Sequence, residues 1–273
     1  MRPLSVSFLF LLLLLVKPAT SAAQTVTKIK EFKAKGVKTL TVDRLGNFFL
    51  IFKNGAIKKY DPDGKLLASL KGGKITPTLV EPWYHPSIFV YNRSRQEWIV
   101  FDHNLKNPQV NPVDPSVAIA PYLVCPTNDN KLLVFDKADN SVKKVNRFTN
   151  ESLFEFTIDT TKLAKAPDFI FLREYQNMIF LLDKNSGIWV YNNIGKLVNS
   201  IQVAGIEGFG FYGEEIFFLR DGVLTLFDLY TEKTRQIPLE KAYRQSYITD
   251  ERVISIDNYS RVSLCQFIDT PKG

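Results

Sequence analysis

Apolar residues along the chain fall in runs of five to seven, alternating or wholly apolar, and Gly, Asn and Asp punctuate them at turn positions. The first complete unit runs Thr39–Val42, Asp43 to Asn47, Phe48–Phe52, Lys53 to Gly55, Ala56–Tyr60, Asp61 to Gly64 and Lys65–Leu70. Period-two alternation with such turns predicts four short antiparallel strands, and the 3.6-residue period of an amphipathic helix is absent. The third strand of this unit recurs as Trp98–Phe101 before Asp102, Val142–Val145 before Asn146, Ile188–Tyr191 before Asn192, Val223–Phe227 before Asp228 and Val262–Cys265 before Gln266. With Tyr60 as the first anchor, these phrases are spaced 36 to 46 residues apart and define six units.

A period near 40 with four strands per unit predicts an all-β chain, a six-bladed β-propeller with four antiparallel strands per blade. Leucine-rich repeats are shorter, and WD40 propellers carry recurring Gly-His and Trp-Asp pairs that these units lack. Blades are expected at about 38–70, 79–113, 117–158, 167–203, 206–240 and 244–270. The last unit has no room for a fourth strand, whereas Thr25–Phe32 alternates with nothing before it to pair with. The segment 25–34 is therefore assigned as the outer strand of blade six, closing the ring and removing an open edge. Two stretches break the rhythm. Residues 104–121 hold Pro108, Pro112, Pro115 and Pro121 and are expected to form an extended crossover, and 157–167 form a second long connection with a helical turn at 161–164.

The phrases Val42-Asp43 with Gly46-Asn47, then Tyr60-Asp61-Pro62-Asp63-Gly64-Lys65-Leu66, echoed from Tyr191 to Leu197, resemble those of NHL and TolB-like six-bladed propellers over residues 25 to 270. The resemblance implies the propeller fold and little about activity.

Residues 1–23 stand apart. Arg2, the apolar run Leu4–Val16 and the small residues Thr20 to Ala23 have the layout of a secretory signal peptide, and the run is too short to span a membrane. The domain is then 24–273, with no second long apolar run, and export to the periplasm, the outer membrane surface or the exterior is expected. The chain has 273 residues and a net charge of +7; without Arg2 and Lys17 the remainder carries 33 basic and 28 acidic side chains. That mild excess suits solubility and weak attraction to anionic surfaces, with no nucleic-acid target. Sequons at Asn92, Asn150 and Asn258 bear on a eukaryotic source only; the short signal and sparse cysteines favour a bacterial envelope.

Candidate chemistry is sparse. Gly208 to Gly213 matches a dinucleotide-binding string, but a strand pattern follows where a helix is required. His85 and His103 both belong to blade two without a metal-ligand partner set. Cys125 and Cys265 belong to opposite blades and are expected to be buried, free thiols. Glu81, Asp168 and Glu207 are placed at the first strands of blades two, four and five, where converging carboxylates would take calcium. The turns between second and third strands each offer a cation: Lys53, Arg93 with Arg95, Lys137, Lys184, Arg220 and Arg261. They would form a basic rim on one face. The leading expectation is a non-catalytic, cofactor-free scaffold, monomeric or part of a larger complex, that binds a protein or an anionic glycan. The alternative is a calcium-dependent hydrolase or lactonase at the channel mouth.

Overall fold

The same local rule builds every blade. Second strands are buried along nearly their whole length because each lies between two neighbouring blades, so both faces must be apolar. Outer strands are exposed over much of their length, with half-covered positions between, as a half-solvated face requires. A computed structural model describes residues 25–73, 75–84, 86–161 and 165–268; the expected signal peptide, His85 and most of the expected turn at 161–164 lie outside these residues.

The chain begins with β1 (Thr25–Lys33). Blade one is β2 (Val37–Val42), β3 (Phe48–Phe52), β4 (Ile57–Tyr60) and β5 (Leu66–Leu70). Blade two is β6 (Leu79–Glu81), β7 (Ile88–Asn92), β8 (Glu97–Phe101) and β9 (Gln109–Pro112). Blade three is β10 (Pro121–Pro126), β11 (Lys131–Asp136), β12 (Ser141–Asn146) and β13 (Ser152–Thr157). Blade four is β14 (Phe169–Tyr175), β15 (Met178–Asp183), β16 (Gly187–Tyr191) and β17 (Leu197–Gln202). Blade five is β18 (Phe209–Tyr212), β19 (Glu215–Arg220), β20 (Val223–Asp228) and β21 (Thr234–Pro238). Blade six is β22 (Gln245–Ile248), β23 (Arg252–Ile256) and β24 (Arg261–Ile268), completed by β1.

Each sheet has its strands in chain order, except that β1 pairs antiparallel with β24, from Thr25 opposite Ile268 to Lys33 opposite Arg261. The fold is the six-bladed propeller expected, and its closure joins first and last segments in one blade. The apolar core is distributed over the seams. Phe49, Ile51, Val90 and Phe101 fill the seam between blades one and two, and Phe135, Phe169, Leu181 and Trp189 fill that between three and four. At Gly210 of β18 an added Cβ would meet the Phe217 ring at 2.3 Å, so the glycine-rich string serves close packing on a strand.

The proline-rich stretch differs from expectation. Gln109–Pro112 is not a bare crossover but the outer strand β9, paired with β8. As an edge strand it has no neighbour on its outward side, so prolines at its end cost no ladder bond.

Candidate functional site: the channel mouth and its basic rim

Antiparallel pairing puts the start of each inner strand beside the end of the second strand, as in Val37 with Phe52, Phe169 with Asp183 and Gln245 with Ile256. The second-to-third-strand turns therefore share one face, here the hairpin face, with the mouth of the central channel. In three blades the register slips at the second residue of the inner strand, skipping Lys38, Tyr122 and Ile170. A bulge leaves such a residue outside the ladder and re-aims it.

At the mouth lies a cavity of about 430 Å³ whose polar lining includes Lys38, Asp168, Lys184, Glu207, Arg244 and Gln245, over apolar walls such as Leu40 and Phe171. The Gln245 carboxamide oxygen accepts from the Leu40 N–H and the Thr39 hydroxyl, each at 3.0 Å, pinning blade six to blade one. The Arg244 guanidinium donates to the Lys38 carbonyl at 2.6 Å and the Val37 carbonyl at 3.0 Å. Burial pushes the Arg244 pKa down, and Glu207 acts against that shift. Lys38, Asp168, Lys184 and Glu207 are exposed, and none has an ion-pair partner among the described residues. The mouth thus presents both signs of charge on a rigid frame, free to meet a ligand's own charges.

The three proposed metal carboxylates divide between two environments. Asp168 and Glu207 line the mouth cavity. Glu81 instead ends β6 inside the channel, where it is 1% exposed and Arg173 of blade four binds it, with Nη2 at 2.5 Å and Nε at 2.8 Å. Its second oxygen accepts the Trp83 N–H at 2.9 Å. Tyr84 adds a second tie from blade two to blade four, donating to the Glu174 carbonyl at 2.8 Å. Burial, reinforced by Glu81, raises the Tyr84 pKa, so the phenol stays protonated. The channel interior is closed by these ties. Among the described residues no three His, Cys, Asp or Glu side chains form a metal-holding group. His103 is exposed and lies 2.9 Å from the Asn104 amide nitrogen.

All seven rim cations lie in or beside the hairpin turns, but their partners differ. Arg95 pairs with Glu97 at 3.3 Å, Arg220 with Asp221 at 3.3 Å, and Arg261 with Asp257 at 2.8 Å, so these charges are locally balanced. Lys53, Arg93, Lys137 and Lys184 have no acidic partner among the described residues. Sequence reasoning missed Lys38, Arg244 and Tyr122. The turn pattern gives the hairpin tips directly, whereas these residues reach the face through inner-strand bulges and the strand-entry loops.

The opposite mouth carries two cavities of about 330 and 400 Å³ that share Arg44, Trp83 and Tyr175. Tyr175 stacks on Phe211 with centroids 3.9 Å apart, so much of this aromatic surface is spent on internal packing. Cys125 and Cys265 are both buried and free. Burial raises both thiol pKa values, which suppresses the reactive thiolate. No helix among the described residues is long and apolar enough to cross a membrane.

No protein-family model matches the chain, and no curated protein matches it in sequence. Solved structures do match in shape. A chain of the mitotic checkpoint complex aligns at TM-score 0.58 and 13% identity, covering 98% of this chain and 100% of that one. A catalytically inactive virginiamycin B lyase from Staphylococcus aureus, with quinupristin, aligns at TM-score 0.55 and 13% identity over 87% of this chain and 83% of the other. BamB from Moraxella catarrhalis aligns at TM-score 0.51 and 8% identity over 89% of this chain and all of the other. At such identities the likeness establishes the architecture alone: the chain is a six-bladed β-propeller similar in shape to these proteins.

Proposed function

We propose that the protein is an exported, non-catalytic scaffold that docks an acidic protein partner in the bacterial cell envelope through the hairpin face, in keeping with an NHL or TolB-like kinship. The observation that carries this reading is the set of unpaired cations, Lys53, Arg93, Lys137 and Lys184, standing around a rigid concave mouth. Exposed cations without local partners sum into a field that speeds encounter with an anionic surface and orients it. The mixed charges of the mouth supply the register once the surfaces meet. A glycan rich in carboxylate or sulfate groups would meet the same field.

The test is capture and cross-linking of the partner from native envelope, followed by binding kinetics of the purified pair. Reversing Arg93, Arg95, Lys137 and Lys184 together should slow association by at least tenfold and flatten its salt dependence, while the ring stays folded. Binding that survives the reversal moves the site to the Trp83 mouth.

Asp168 and Glu207, which line one cavity and have no direct ion pair among the described residues, favour a second reading, a calcium-dependent hydrolase. Solved neighbours include both a chain of a multiprotein complex and a lyase, so the fold serves either role. Calorimetric titration with calcium separates the two readings: stoichiometric uptake lost in Asp168→Asn would establish the second.

A further inference from the structure

Two of the unpaired rim cations do not point independently into solvent. The Arg93 guanidinium lies over the Tyr122 ring at 3.5 Å from its centroid, and the Lys137 ammonium lies 4.6 Å from the same centroid. Arg93 comes from the turn of blade two, whereas Tyr122 and Lys137 come from blade three. The arrangement is built from below. Tyr122 is the residue skipped by the β10 bulge, so its carbonyl is free of the ladder and accepts the Arg93 Nε–H at 2.6 Å. Its ring is braced edge-on against Phe135, which is buried. The Arg93 backbone N–H donates to the Thr78 hydroxyl at 3.1 Å, and Thr78 also lines the mouth cavity.

Two like charges are thus held on one ring, and the acids nearby are engaged elsewhere. Asp136 accepts from the Ile119, Ala120 and Ala138 N–H groups, and Lys143 bridges Asp136 and Asp139. With Nε committed to the Tyr122 carbonyl, the two terminal nitrogens of Arg93 remain as a fork. That fork matches a planar two-oxygen acceptor, and the ammonium beside it supplies a second charge. The ring pre-orders both side chains, which lowers the entropy cost of closing on an anion.

We propose that Arg93, Lys137 and Tyr122 form a seat for one carboxylate side chain of an acidic protein segment, at the edge of the channel mouth. The seat deepens the docking reading above and rests on it for the identity of the partner. It makes blades two and three the anchor of the face, whereas Lys53 contributes field only.

A fluorescein-labelled hexaglutamate peptide, with hexaglutamine as its neutral counterpart, tests the seat by fluorescence anisotropy at low ionic strength. Arg93→Lys keeps the charge but loses the fork, and Lys137→Gln leaves the Tyr122 carbonyl contact intact. Each should weaken hexaglutamate binding about threefold to tenfold, against less than twofold for Lys53→Gln. Equal losses in all three variants, or no binding to the unaltered protein, would overturn the seat. Sulfate displacing the peptide better than acetate at equal ionic strength would overturn the carboxylate assignment. The two readings separate cleanly. If the rim reversal abolishes envelope-partner binding while Arg93→Lys behaves like Lys53→Gln, docking stands and the seat falls. If hexaglutamate discriminates but the envelope partner ignores the reversal, the seat stands and docking falls.

Discussion

In five blades one residue, the last of the third strand or the one just past it, does the same work. Asp61, Asp102, Asn146, Asn192 and Asp228 each turn a side-chain oxygen back onto backbone N–H groups two to four positions ahead, closing the turn to the outer strand. Blade six has Gln266 there and needs no such turn, because its fourth strand comes from β1. This is why the repeat is legible: the constraint is local, and Asp and Asn meet it best. The Glu81–Arg173 pair is its opposite. Its members are 92 positions apart, on blades that are not neighbours, and nothing in either local sequence marks them. Glu81→Gln leaves Arg173 buried without its counter-charge and should cost about 3–5 kcal/mol in urea unfolding. The double change Glu81→Leu with Arg173→Met should restore most of that. A single variant as stable as the unaltered protein would mean that the pair is not what closes the channel.

Among the elements, β1 has the most distinctive attachment. Beyond its ladder with β24, Glu31 accepts from Lys241 at 2.7 Å and from the Ser263 hydroxyl at 3.1 Å, and Lys241 also reaches Asp257 at 3.2 Å. The Lys241 hydrogen bond, outweighing burial, holds the Glu31 carboxyl below its ordinary value. Burial pushes Asp257 up, but hydrogen bonds from the Arg261 N–H and guanidinium and from Lys241 outweigh it and hold the carboxyl at about 2. Both groups bind protons more weakly in the folded chain than in the unfolded one. Their stabilisation is therefore complete above the ordinary carboxylate range and is lost as pH falls from about 4 toward 2. Thermal melts should show the loss in that window, and Lys241→Met should shrink it; an unchanged acid profile in that variant would remove the network from the closure. Deleting residues 24–34 should lower the melting temperature of the whole domain, since β24 becomes an open edge. The sequence shows that β1 is a strand without a local partner; the charges that fasten it come from the loop before β22 and from a hairpin, which no strand pattern reports.

For the molecule as a whole, six repeats carry the architecture, and their apolar runs fix which strands lie between blades. The face chemistry is less legible because it depends on bulges and on side chains meeting across seams, as Arg93 meets Tyr122. The opposite blades of Cys125 and Cys265 give a whole-molecule check: unreduced protein, once denatured, should react with two equivalents of thiol reagent, and one disulfide in their place would contradict the ring order. The closure has a geometric consequence as well. Thr25 stands opposite Ile268 at the end of blade six away from the hairpin turns, so whatever chain precedes the one and follows the other departs from the same corner. A tether attached at either end, to a membrane, a neighbouring domain or a sensor chip, would hold the propeller with its cationic face turned outward, like a dish mounted by its back.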